Sequence, residues 1–180
     1  MPDKANLIVT FDPAHDEKAR EEVEGLLGVI KDKPKVLKSK VAGLLLLKVK
    51  DGRKAVKALR EAAKEDPDQF AYTYHWIPID EWVSSDLKTL KKKMKDYNKK
   101  IDPSRTWKLS VSKRKYDEYK TPEIILALTE EIDKPKVDLK NPQQVVKVEI
   151  IGKEAGLSLL DSHEILDVAE IRHGHSTRTH

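Results

Sequence analysis

The pattern of apolar and polar positions divides the chain into two successive α/β segments. Asn6 to Phe11 is a short apolar, β-branched run that predicts a strand, closed by Asp12 and Pro13. Ala19, Val23, Leu26, Leu27 and Ile30 then recur at helical spacing, with Gly28 weakening the end. Lys35 to Lys40 predicts a second strand and Leu44 to Val49 a third, joined by a turn at Val41, Ala42 and Gly43. Ala55, Val56, Leu59, Ala62 and Ala63 mark a helix that Asp66 and Pro67 close, and Phe70 to Ile77 predicts a strand. The order β-α-β-β-α-β is that of the split βαβ, ferredoxin-like unit.

The second half begins again. Val83, Leu87, Leu90, Met94, Tyr97 and Ile101 form one helical face, with Ser84 or Ser85 as the expected N-cap. Trp107 to Val111 alternates as a strand does. Thr121, Pro122 and Glu123 read as a cap, a first-position proline and an acid at the positive end of a helix dipole. Ile124, Ile125, Leu128 and Ile132 follow as its buried side. Val145 to Ile151 and Leu157 to Leu160 predict two strands around a turn from Gly152 to Gly156. Glu164 to Ile171 is expected as a short helix and residues 173–180 as a flexible polar tail.

Composition narrows the function classes. The 180 residues include no cysteine, which excludes disulfides, cysteine nucleophiles and thiolate zinc sites. The longest apolar run, Val41 to Leu47, is far shorter than the roughly 20 residues of a membrane helix. The N-terminus has mixed charge and no apolar core of a secretory signal, so a cytoplasmic protein without membrane attachment is expected. No phosphate-loop pattern occurs, no two of the scattered His15, His75 and His163 sit at metal-ligand spacing, His173, His175 and His180 fall in the polar tail, and no cofactor or metal is expected.

Charge is more informative than its net value of +4. Residues 1–83 are balanced, with 15 basic and 15 acidic side chains. Residues 84–115 hold 12 basic and 3 acidic, and residues 116–180 hold 8 basic and 13 acidic. A basic block inside a folded segment is the footprint of a polyanion partner. Within it Lys88, Lys92, Lys95 and Lys99 are spaced 4, 3, 4 and share one helix face, nearly opposite the apolar one. Like charges at that spacing repel by a few tenths of a kcal/mol per pair. A solubility face would interleave acids, but only Asp86 and Asp96 are present on this helix. Arg105, Lys113, Arg114 and Lys115 continue the block and complete the candidate phosphate contacts. Tyr72, Tyr74, His75 and Trp76 are candidates for stacking on bases, set against the plainer reading of a strand's core and flank.

Three segments carry a family resemblance: Trp76-Ile-Pro-Ile-Asp80, Trp107-Lys-Leu-Ser-Val-Ser-Lys-Arg114, and Val137-Asp-Leu-Lys-Asn-Pro142 running into Val145-Val-Lys-Val-Glu-Ile-Ile-Gly152. In order and spacing they resemble a THUMP domain. The resemblance implies an α/β (α+β) chain with a ferredoxin-like unit at 1–74, a THUMP domain at 75–172 and the tail at 173–180. It implies binding of tRNA, at the acceptor end and body, across both units. The chain is further similar to the stand-alone tRNA acetyltransferase adaptors, since it ends soon after the last THUMP strand. That resemblance implies a non-catalytic adaptor presenting tRNA to a separate RNA cytidine acetyltransferase, which makes N4-acetylcytidine. The alternatives are a small tRNA-modifying enzyme and a ribosome-associated interaction module.

Overall fold

The computed structural model describes residues 4–179, with side chains from Lys4 to Gly174. The chain is α+β and divides into two units, 1–79 with 163–180, and 80–162.

The first unit follows the β-α-β-β-α-β order of the sequence pattern: β1 (Leu7–Phe11), α1 (Asp16–Val29), β2 (Lys35–Leu37), β3 (Leu44–Lys48), α2 (Gly52–Glu65) and β4 (Thr73–Pro78). Two elements of the last segment rejoin it, β9 (Leu166–Asp167) and α5 (Val168–Thr179). The antiparallel sheet runs β2-β3-β1-β4-β9. Alternation along β1 and β4 sends Leu7, Val9, Phe11 and Trp76 into one core with Val23, Leu27, Val56 and Leu59 of the helices. Each such fully buried aliphatic side chain contributes about 1.5–3 kcal/mol. Glu22 reaches back from α1 and accepts the backbone N–H groups of Ala71, Tyr72 and Thr73 at 2.7, 3.0 and 2.8 Å, fixing the approach to β4. At the β1–β3 end Gly43 has φ +77°, and a Cβ there would lie 2.7 Å from the Phe11 carbonyl, so only glycine fits.

The C-terminal segment is fastened to this unit by arginines. Arg53 pairs with Glu164 at 2.9 Å, Arg60 donates to the Ile165 carbonyl at 2.8 Å, and Arg172 donates to the Pro67 and Phe70 carbonyls. Residues 163–172, assigned by sequence to the second domain, therefore belong to the first unit, and so do residues 75–79. The expected helix at 164–171 begins instead at Val168, after Leu166 has paired with Trp76 on β4. The segment expected as a flexible tail starts inside α5; its side chains from residue 175 onward lie outside the described residues.

The second unit contains β5 (Glu81–Ser84), α3 (Leu87–Lys100), β6 (Trp107–Arg114), α4 (Thr121–Thr129), β7 (Gln144–Ile151) and β8 (Glu154–Asp161). The sheet order is β5-β8-β7-β6, with β6 and β7 parallel and the other pairs antiparallel. Its core joins Leu90, Met94 and Tyr97 of α3 and Ile124 and Leu128 of α4 to Leu109, Val146, Val148, Ile150 and Leu157 of the sheet. Three details differ from the pattern reading. The N-cap of α4 is Lys120, and Thr121, expected as the cap, is the first helical residue, with no side-chain cap hydrogen bond at that end. Val83 lies in β5, and the N-cap of α3 is Asp86, because extended backbone at Ser84 pairs with Glu154 before the helix begins. The turn at Gly152 is tighter than expected: φ is +60° there, and the strands run up to Ile151 and from Glu154.

Candidate nucleic-acid interface

The second unit's basic surface is organised by α3. The Asp86 carboxylate starts the helix, accepting from the Thr89 N–H at 2.8 Å and the Thr89 hydroxyl at 2.6 Å. Ser84 donates to it at 2.7 Å. The hydrogen bonds from Thr89 and then Ser84 hold the Asp86 carboxyl down at about 2. The inner face is fixed as well: Leu90, Met94 and Tyr97 are buried, which turns the opposite face to solvent.

That outer face carries Lys88, Lys92, Lys95 and Lys99, all exposed. From Lys88 to Lys99 the row runs about 16 Å along the helix axis. Lys95 lies 3.9 Å from Glu131 but is 67% exposed, so this contact is weak. The flanking cations behave differently. Lys93 is held against Glu81 at 2.8 Å, and Lys100 lies over the Tyr97 ring, 5.1 Å from its centroid. Burial raises the Glu81 carboxyl, but hydrogen bonds from Lys93 and Tyr97 outweigh it and leave the group below its ordinary value.

The remaining candidates occupy the two ends of the sheet. Strand register places Ser84, Glu154, Ile151 and Arg114 in one row, so α3 starts at the end where β6 finishes. Lys113, Arg114 and Lys115 stand at that end, together with Lys153 in the β7–β8 turn. Arg105 stands at the other, roughly 23 Å away along β6. The last turn of α3 returns to that second end, where Gln144 accepts the Asp102 N–H at 3.2 Å.

The arginines are committed inside the protein. Arg105 pairs with Asp161 at 2.7 Å and donates to the Gln143 carbonyl at 3.0 Å. Arg114 meets the fully buried Glu149 at 3.3 Å, and Lys147 approaches the same carboxylate at 3.1 Å. Lys113 donates to the Tyr116 carbonyl at 3.2 Å, while Lys115 is exposed in a left-handed turn, φ 57°. The eight predicted cations thus form a lysine row with a basic group at each end, and the row holds the charge least compensated from within. Sequence reasoning missed Lys153, whose turn carried no charge pattern of its own. It also missed Glu81, Glu149 and Asp161, whose neighbours are set by strand register.

The aromatic candidates lie in the first unit. Trp76 is fully buried and donates its indole N–H to the Thr73 hydroxyl at 3.0 Å, which removes it as a stacking surface. Tyr72 is partly buried, with His15 at 5.3 Å and Lys18 at 5.8 Å from its ring centroid; Tyr74 is 48% exposed. Among the described residues no group of three histidines or carboxylates is arranged to hold a metal ion. No helix among them is long and apolar enough to cross a membrane.

This fold and helix lie where the family match falls. Residues 84–160 match the THUMP domain model, so the chain contains a THUMP domain. Solved structures share the wider architecture. PH1313 from Pyrococcus horikoshii superposes with a TM-score of 0.64 at 14% identity, covering 91% of this chain and 55% of that one. TrmN from Thermus thermophilus gives 0.57 at 15% identity, covering 85% and 44%. A 4-thiouridine synthetase solved with RNA and ATP gives 0.50 at 19% identity, covering 92% and 42%. The chain therefore spans about half the length of these proteins, and identities this low show the fold alone. No curated protein sequence matches the chain.

Proposed function

We propose that this protein binds tRNA through its THUMP domain and acts as an adaptor, presenting the bound tRNA to a separate RNA cytidine acetyltransferase. The observation that carries the RNA reading is the exposed row of Lys88, Lys92, Lys95 and Lys99 on α3 of the THUMP domain, with one distant carboxylate as its internal partner. Such a row matches a phosphate backbone, and lysine point charges read position rather than base identity. A THUMP-like fold solved with RNA in the 4-thiouridine synthetase, and shared with TrmN, supports an assignment to tRNA modification. The adaptor role rests on the family resemblance in the sequence. An adaptor works by raising the effective concentration of one tRNA site at its partner's catalytic centre.

The test has two arms. Purified protein titrated with tRNA over a range of salt should lose affinity steeply, log K falling by about 0.7–0.9 per phosphate contact for each unit of log salt. A flat response removes the RNA reading. Protein, tRNA, ATP and acetyl-CoA are then incubated with and without an RNA cytidine acetyltransferase, and the tRNA is digested for nucleoside mass analysis. Acetylcytidine only in the presence of the partner supports the adaptor. Altered nucleosides without it favour a small tRNA-modifying enzyme.

A further inference from the structure

The THUMP domain carries a second charge block, of the opposite sign. Residues 117–133, which include α4, hold six carboxylates and one lysine, a formal net charge of −5. Asp117, Glu118, Glu123 and Glu130 are exposed, and none of them has an ion-pair partner among the described residues. α3 and α4 pack into one core on the same sheet, and Lys95 of α3 meets Glu131 just beyond α4 at 3.9 Å. A cationic helix and a helix set among carboxylates therefore lie side by side. A surface built for solubility interleaves the two signs; here they are segregated by helix.

The burial of α4 does not match its pattern. Its middle, Ile124-Ile-Leu-Ala-Leu128, is apolar on every side, and a helix apolar all round is normally covered all round. Ile124 and Leu128 enter the core, but Leu126, midway between them, points the other way and is 64% exposed. Glu123 and Glu130, three positions before it and four after, flank it on the outer face. A single exposed leucine is ordinary. This one belongs to a group: the large apolar side chains exposed among the described residues of this domain, Tyr119, Leu126, Val137 and Leu139, all fall between residues 119 and 139. That stretch follows β6, since α4 packs against the strand and Val137 pairs with Trp107 at its start.

We propose that the outer face of α4, with Leu126 as its apolar centre and carboxylates as its rim, docks a cationic surface of a partner protein. This rests on the adaptor reading, and adds to it the surface by which the partner is held. An apolar centre inside a polar rim is the anatomy of a protein–protein interface. The charge selects the occupant. Carboxylates repel a phosphate backbone, so RNA on the α3 row leaves the α4 face open. An enzyme that works on RNA presents cations of its own, and the carboxylate rim steers and orients them. The cations of a second copy of this chain, on its α3 row, are taken up by its own RNA.

The full chain is tested as wild type, Leu126→Lys, Leu126→Met, and the pair Glu123→Gln with Glu130→Gln. Each form is titrated with tRNA, and with an RNA cytidine acetyltransferase in the presence and absence of tRNA. Leu126→Lys should bind the acetyltransferase about tenfold more weakly or worse and lose acetylcytidine formation. Its tRNA affinity should equal or exceed that of wild type, and its melting temperature should be unchanged because the side chain is exposed. The glutamine pair should bind the acetyltransferase more weakly and with a shallower salt dependence. Leu126→Met should keep wild-type affinity. Wild-type affinity for the acetyltransferase in both Leu126→Lys and the glutamine pair overturns the docking face and leaves the adaptor reading standing. A wild-type dimer that Leu126→Lys abolishes, with acetyltransferase binding unaffected, overturns it in favour of a second copy. Loss of tRNA binding in Leu126→Lys assigns the face to RNA and overturns it. Wild type that binds tRNA but not the acetyltransferase overturns this inference together with the adaptor role, and leaves the RNA reading in place.

Discussion

The Tyr97 phenol donates a 2.8 Å hydrogen bond to Glu81, the same carboxylate that holds Lys93 at 2.8 Å. One side chain of β5 therefore anchors two consecutive turns of α3 and draws Lys93 out of the lysine row. The consequence is testable with Glu81→Gln. The amide keeps an acceptor for Tyr97 but loses the charge facing Lys93. With both partners about a third exposed, the loss of stability should stay under about 1 kcal/mol, read from denaturant unfolding. The folded carboxyl lies below its ordinary value, so this contribution is present above that value and disappears as pH falls through the lowered one. The variant should accordingly lose its difference from wild type in acid. Tight tRNA binding should persist, since Lys93 is not part of the row.

Reversing Lys92, Lys95 and Lys99 to Glu should abolish tRNA binding and leave the circular dichroism spectrum and melting temperature close to wild type. These side chains are exposed and make one weak ion pair among them, so little native structure depends on them. Retained binding at wild-type strength would mean that the row is a solvated surface.

Two pairs of glycines should respond in opposite directions. Gly25 and Gly28 lie on the exposed side of α1, and a Cβ added at either meets nothing within 4 Å. Gly25→Ala and Gly28→Ala should each raise stability by about 0.5–1 kcal/mol through helix propensity and a restricted unfolded chain. At Gly43 and Gly52 an added Cβ would stand 2.7 Å from the carbonyls of Phe11 and Asn6. Alanine at either position should lower the melting temperature, because backbone must move to admit it.

Acid should act on the start of α3 through Asp86. Its folded carboxyl titrates at about 2, against an ordinary value of 3.8. The cap is therefore fully effective above the ordinary value and fails as pH falls toward 2. Asp86→Asn keeps a capping oxygen while removing the titration. Its unfolding should show a weaker dependence on pH between those two values than wild type, measured by thermal melts. An unchanged pH profile would show that Asp86 does not govern the helix.

Much of this molecule was legible in its residues. The spacing from Leu87 to Ile101 gave both the helix and the outward lysine row, because burial of one face dictates the other. The same 3.6-residue logic carried the reading one step too far, to Val83. That residue fits the helical interval but is held extended by its pairing with Ala155 on β8. The partners of Arg105 and Arg114 were invisible for a related reason. Asp161 and Glu149 lie 56 and 35 positions away in sequence and become neighbours only through the register of β6, β7 and β8. The two-residue strand Leu166–Asp167 is too short for any periodicity, so nothing local announced that the chain returns to the first unit.

That return has a consequence for how the protein is made. Everything from Asp80 to Ser162 leaves the ribosome before Leu166, the residue that covers Trp76 on β4. Domains generally fold as units in order of synthesis. Here β4 lacks its outer neighbour until the nested domain has been translated. The late-arriving segment with Glu164, Ile165 and Arg172 is then a closing latch: a nascent chain released before it leaves an unsealed sheet, open to pairing with another such chain.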